Sequence, residues 1–417
     1  MELTARSWQS EDNPVPDDWN SELIGNLMSL RNGVNADGDA YGTGTPFINV
    51  LEVITNTHLR IADIPGKVEL PGGTVGNYLV KEGDILFNRT SETQEEVGLA
   101  SVYAGEEPVV FGGFVIRGQL QSEQLDTNYA GYALRSPSVR SQIVSRAQGA
   151  VRANIGQQEL AKVSVLLPPL PEQRAIADAL SDVDALIERL DALTAKKRAI
   201  KTATMQRLLT GKQRLPGFDG EWTTKRLGEI GDFAKGKGIP KKDTVESGIP
   251  CVRYAELYIH HRDIIRDFVS FIPESVAESA RQLKKGDVLF AGSGETKEEI
   301  GMCAAYLGDE KAYAGGDIVI LSPNSEDSRF LGYALNAPKA VEQKSSMAQG
   351  DAIVHLYARH LSELKIPLPP EAEQRVIATV LSDMDAEIET LHTRRDKTQA
   401  IKQGMMQELL TGRTRLV

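Results

Sequence analysis

This chain writes one amphipathic segment twice. The stretch EQRAIADALSDVDA starts at Glu172, and EQRVIATVLSDMDA starts at Glu373, an offset of 201 residues. Roughly 23 of 40 aligned positions from Glu172 to Gly211 are identical to Glu373 to Gly412, without a gap. Any fold must therefore place that segment twice, and identity at this level marks an internal repeat.

The repeat extends beyond the helix. GDILFNRTSETQEEVG from Gly83 matches GDVLFAGSGETKEEIG from Gly286, and PFINVLEV from Pro46 answers PCVRYAEL from Pro250. Trp19 has its counterpart in Trp222, and AQGAV from Ala147 has its own in AQGDA from Ala348. The chain is two copies of one unit, a globular part of about 150 residues followed by a long helix. Within each globular part, GDILF, GDVLF, FGGFVIRGQL and GGDIVILSP read as strands bounded by glycine turns. TNYAGYALRSPSVRSQI and SRFLGYALNAPKAVEQK read as short helices. The expected class is α+β. The expected segments are a globular domain over 1–166, a helix over 167–212, a second globular domain over 213–366, and a terminal helix over 367–417.

Each helix follows a proline stop, VLLPPLPEQR or IPLPPEAEQR, and prolines suit a helix entry. Apolar residues then recur at 4,3 spacing: Ile176, Leu180, Val183, Ile187 and Leu190, and in the second copy Ile377, Leu381, Met384, Ile388 and Leu391. Two heptads of this kind mark a coiled-coil seam. The middles, TAKKRA and RRDKTQA, are polar. Apolar character returns at Ile200, Met205, Leu208 and Leu209, and at Ile401, Met406, Leu409 and Leu410. Gly211 and Gly412 supply the left-handed stop. An antiparallel pair would set each seam against the far end of the other helix. The alternative is that each helix packs only on its own domain.

The 417 residues carry a net charge of −11 and 41% hydrophobic residues, a composition suited to globular cores. Segment 1–166 holds −9 and segment 213–366 holds −3. Nucleic-acid binding would need local basic clefts or a basic partner. No run of about 18 apolar residues suggests a membrane span, and the acidic N-terminus does not read as a signal peptide. Cys251 and Cys303 read as reduced cysteines, and His260-His261 as a surface turn, with no zinc spacing. No phosphate-binding G-x-x-x-x-G-K-[ST] loop and no G-x-S-x-G nucleophile motif occurs. The acids of SDVDA and SDMDA face different ways at i, i+2 and read as solvated or partner-facing. FAKGKGIPKK reads as a solvated turn or a phosphate-contacting loop.

LPPLPEQRAIADALSDVDALIERL…LLTG and its second copy resemble the specificity subunits of type I restriction–modification systems, as do LPGFDGEW and GDILFNRTS…VG…FGGFVIR. The resemblance covers essentially the whole chain. It implies two target recognition domains, each reading one half of a bipartite asymmetric DNA sequence. It also implies two conserved helices, packed as an antiparallel coiled coil, that set the gap between the halves. It further implies no active site and no cofactor in this chain, with S-adenosylmethionine and ATP on partners. Those partners are double-stranded DNA, two methyltransferase subunits and restriction subunits, in the cytoplasm. The competing classes are a stand-alone methyltransferase or nuclease with tandem recognition domains, and a coiled-coil scaffold that does not bind DNA. Neither an S-adenosylmethionine loop nor an Asn/Asp-Pro-Pro-Tyr/Phe motif favours the enzyme.

Base-reading side chains are polar and lie on loops. In the first head the candidates are Asn88, Arg89, Thr90 and Ser91, after the DILF strand. In the second they are Ser293, Glu295, Thr296 and Lys297 at the matching place. Lys235, Lys237, Lys241 and Lys242 are candidate phosphate contacts, and Arg253 and Tyr254 follow another strand. Each also reads as an ordinary surface residue.

Overall fold

A computed structural model describes residues 15–71, 73–149, 151–350 and 353–416. The two long helices span Leu170–Leu208 and Glu371–Leu409. Each is 39 residues, or about 58 Å at 1.5 Å per residue. Two compact units emerge, Met1–Asp191 with Thr393–Val417, and Ala192–His392. Each unit therefore contains one globular head, the first half of the helix that follows it, and the second half of the other helix.

The first head is built on a five-stranded sheet in the order Met28–Asn32, Val115–Leu120, Ile85–Asn88, Ala100–Tyr103, His58–Leu59. Only the last pair is parallel. A four-stranded sheet, ordered Lys67–Val68, Tyr41–Ile48, Val109–Phe111, Leu79–Val80, completes it. The Ile85–Asn88 strand is buried at every position, as expected of a short central apolar run with both faces covered. Helix Thr127–Ala133 starts where Asp126 accepts bonds from the Asn128 and Tyr129 amides. Helix Pro137–Arg146 starts on its proline.

The second head repeats this plan. Its five strands run Gly231–Lys235, Ile318–Pro323, Val288–Ala291, Cys303–Tyr306, Asp263–Ile265. Its four-stranded sheet runs Ser270–Ile272, Ile249–Val252, Tyr313–Ala314, Arg281–Gln282. Asp327 caps Ser328–Leu335 as Asp126 caps its twin.

The helices pair antiparallel inside each unit. In the first, Ile176, Ala177 and Leu180 share a core with Leu409 and Leu410 and with head residues such as Tyr129 and Tyr132. In the second, Ile377, Ala378 and Leu381 share a core with Leu208 and Leu209. Ile187 and Leu190 are buried, while Val183, Met384, Ile388 and Leu391 are half-buried. Ile200 and Ile401 depart from the sequence reading. They are 42% and 50% exposed, because the polar middles are joined by charge instead. Lys402 pairs with Asp184 at 2.5 Å and Arg395 with Asp191 at 3.3 Å in the first unit. Lys201 pairs with Asp385, and Lys197 with Glu387, both at 2.6 Å, in the second.

Two nodes, each built twice, fasten head to helix. The Tyr132 hydroxyl donates to Asp184 at 2.9 Å, and Lys402 lies 5.5 Å from the Tyr132 ring centre. Tyr333, Asp385 and Lys201 repeat this at 2.7 and 5.1 Å. At the helix start, buried Glu172 accepts from the Trp19 indole and from Arg415. Glu373 accepts likewise from Trp222 and Arg214. Asp184 and Asp385, read from sequence as solvated or partner-facing, thus serve the helix–head joint, while Asp182 and Asp383 are exposed.

Candidate nucleic-acid interface

In each head three backbone segments meet at a double-glycine turn. In the first, Val34 N–H donates to the Phe111 carbonyl at 3.0 Å and Gly112 N–H to that of Ile48 at 3.0 Å. Arg89 N–H then donates to the Phe114 carbonyl at 2.8 Å, and Ile155 N–H to that of Arg89 at 3.0 Å. The second head builds the same ladder. Lys237 donates to Ala314 at 3.1 Å, Gly315 to Val252 at 2.8 Å, Gly292 to Asp317 at 2.8 Å and Leu356 to Gly292 at 2.9 Å. The packing is tight enough to require glycine: a Cβ at Gly33 would sit 2.2 Å from the Gly112 carbonyl oxygen, and one at Gly236 1.9 Å from that of Gly315.

The scaffold is shared and its side chains are not. The crest of the first head carries Asn35, Asn49, Arg89 and Phe114, with Phe114 55% exposed. The second carries Lys237 and, around a cleft of about 330 Å³ that also takes in Ile239, Pro240 and Lys241, the side chains of Arg253, Tyr254 and Asp317. Ile239 has φ +66°, a strained conformation for a β-branched residue. Further along the second crest, the His355 and Tyr357 rings stack 6.0 Å apart and Arg359 lies 5.1 Å from the Tyr357 ring centre. The matching positions of the first head are Asn154, Gly156 and Gln158.

Arg89, Lys235, Lys237, Lys241, Lys242 and Arg253 form no ion pair among the described residues. Lys241 and Arg253 come together at the cleft, and Lys237 directly precedes its Gly238 wall. Lys235 and Lys242 are exposed but do not line it. Unpaired cations beside an aromatic ring on a rigid crest suit phosphate and base contacts.

Three candidates are corrected. Asn88 is fully buried, its amide donating to the Glu96 carbonyl and its oxygen accepting from Thr90 N–H. Ser91 is buried and donates to Glu96 at 2.8 Å. Ser293 is buried and bonds His355 Nδ1 at 3.0 Å. These side chains brace the loop from within and have no free groups for a base. Arg89 and Thr90 are half-buried. The Thr90 hydroxyl donates to Asn154 at 2.6 Å, while the Arg89 guanidinium makes only a 3.5 Å contact with the Gly113 carbonyl. Thr296 and Lys297 are exposed, on a loop crowded with Glu295, Glu298 and Glu299, and the first head has the matching acids Glu92, Glu95 and Glu96. That loop is acidic in both heads, so it neither attracts phosphate nor distinguishes the heads.

His261 is another correction. It is buried, not part of a surface turn, with Nε2 3.8 Å from Glu256. Burial pushes both the Cys251 and Cys303 thiols up to about 12, which makes them inert at neutral pH. No cluster of three potential metal ligands occurs among the described residues. Nor is any described helix long and apolar enough to cross a membrane.

Phe114, Asp317, His355, Tyr357 and Arg359 stand outside the candidates that the sequence singles out. The available signal was the double glycine in both copies, followed by unlike residues.

Comparison with known proteins gives the same outline. The chain is 24% identical over 422 residues to the type I restriction enzyme MjaVIII specificity subunit of Methanocaldococcus jannaschii, covering 96% of this chain and 94% of that one. A putative MjaX specificity subunit from the same organism is 25% identical, with 98% and 96% covered. Among solved structures, the S subunit of a type I restriction–modification system from M. genitalium superposes with a TM-score of 0.61 at 18% identity, covering 96% of this chain and 98% of that chain. A structure from work on assembly and conformational transition of a type I restriction–modification system gives 0.57 at 16% identity, with 95% and 98% covered. These two share the fold. The family model for the type I restriction modification DNA specificity domain matches residues 16–197 and again 219–400. The chain thus belongs to the type I restriction–modification DNA specificity family and carries its domain twice.

Proposed function

We propose that this chain is the DNA-specificity subunit of a type I restriction–modification complex. One head reads each half of a bipartite, asymmetric site, and the paired helices fix the gap between the halves. The observation that carries the reading is the crest: one backbone ladder, built twice, presents Arg89, Asn49 and Phe114 in one head and Lys237, Arg253 and Asp317 in the other. Two similar frames with unlike chemistry suit two unlike half-sites.

In this reading the chain contributes no catalytic group. S-adenosylmethionine and ATP are bound by partners, two methyltransferase subunits and the restriction subunits, and the complex works in the cytoplasm. The net charge of −11 leaves much of the phosphate neutralisation to those partners. The test compares the purified chain with the chain plus its methyltransferase, assaying methyl transfer and binding to DNA of random sequence. The expected result is sequence-specific methylation by the complex and none by the chain alone. Methyl transfer or cleavage by the pure chain would favour a stand-alone enzyme. Absence of sequence-specific binding in either form would favour a scaffold.

A further inference from the structure

We propose that the residue following the double glycine contacts a base in each head: Phe114 packs on a thymine methyl in one half-site, and Asp317 accepts from a cytosine amino group in the other. This rests on the specificity-subunit reading and names the chemistry of its site.

The backbone at this position is fixed from both sides. Val115 N–H donates to the Gly112 carbonyl at 2.9 Å, and the Phe114 carbonyl accepts from Arg89. In the second head the Asp317 carbonyl accepts from Gly292, and Ile318 N–H reaches the Gly315 carbonyl at 3.3 Å. The peptide that follows each residue is engaged at both its carbonyl and its N–H, which fixes the backbone and leaves the exposed side chain to meet a ligand. Phe114 is 55% exposed on a crest that is otherwise polar, with the Asn35 side chain lying over Gly113. A large aromatic left in water on a locked turn is fitted to cover an apolar group elsewhere. On a major-groove floor that group is the thymine methyl.

Asp317 occupies the same place among Lys241, Arg253 and Tyr254, is exposed, and forms no ion pair among the described residues. A carboxylate facing DNA is repelled by phosphate and by the acceptor edges of guanine and thymine. It is satisfied by an exocyclic amine, and cytosine N4 is the amine carboxylates take. The neighbouring cations hold the phosphates that bring it to the groove.

The experiment uses the chain in complex with its methyltransferase partner, acting on a random-sequence DNA library, with methylated molecules sequenced. Phe114→Ala is expected to lose preference at a single thymine position by about tenfold or more, and Phe114→Leu to retain it. Asp317→Asn is expected to move one position of the other half-site from cytosine toward adenine, because an amide pairs with adenine N6 and N7. Both side chains are exposed, so unchanged melting temperatures are the folding control. A defined wild-type target that either variant leaves unchanged, or that either weakens uniformly over all sequences, overturns the assignment of that residue. A wild-type complex that methylates without sequence preference overturns the specificity-subunit reading itself, and this inference with it.

Discussion

Lengthening both helices at the junction between the two units should widen the gap between half-sites and leave the halves unchanged. The insertion points are after Asp191 in the first helix and after His392 in the second, where one unit gives way to the other. Both helices must be extended, because each pairs with the other by charge. A one-sided insertion would pull Asp184 and Asp191 out of step with Lys402 and Arg395. Matched insertions at the junction leave those pairs intact, along with Lys197–Glu387 and Lys201–Asp385 in the other unit. Four helix-forming residues add about 6 Å and overshoot one full turn by roughly 40°. Base pairs rise about 3.4 Å each, so the preferred gap should grow by one or two pairs. The assay is sequencing of methylated sites in cells carrying the methyltransferase partner with wild-type or lengthened chain. A folded, active variant with an unchanged gap would refute the spacer role and leave the helices as a docking surface only.

Three further outcomes follow from the geometry. Tyr132→Phe removes a hydrogen bond to Asp184 in the first unit, and Tyr333→Phe one to Asp385 in the second. Each should cost about 1.5–3 kcal/mol in denaturant unfolding, and the double variant should show the sum, since they share no partner. Lys344 is fully buried with its amine on the Gly301 carbonyl, where the first head has Ile143. Burial lowers its pKa, so the unfolded chain binds the extra proton and stability rises with pH from the folded value up to the ordinary 10.5. Lys344→Ile should remove that slope and raise stability by about 1–3 kcal/mol, read from melting curves across alkaline pH. Arg89→Ala should cost about 1–3 kcal/mol of discrimination at one position of one half-site. Equal loss for every sequence would instead make Arg89 a phosphate contact.

The helices were legible because their signal is local and periodic. The 4,3 spacing from Ile176 and Ile377 and the glycine stops belong to single segments, and repetition doubled the signal. Ile200 and Ile401 misled because hydropathy alone does not register that Lys201 and Lys402 make the pairing at that level. The reading surface was only half legible. Asn88, Ser91 and Ser293 have the residue types of base contacts, but they precede loops that fold back and use those groups internally. Phe114 lies outside the polar set, and Asp317 is one acid among many. The role proposed for them comes from the fold: Val34, Ile48, Arg89 and their counterparts, distant in sequence, hold the turn that carries them.

The most direct measurement exchanges one head and maps the target. Residues 213–366 would be replaced by the corresponding segment of another member of the family, with both helices and the first head kept. Methylated sites would then be sequenced in cells supplying the methyltransferase. One half-site should change to the donor's, while the other half and the gap remain those of the wild type. A target changed in both halves, or unchanged in both, in a folded and active hybrid would contradict one head per half-site.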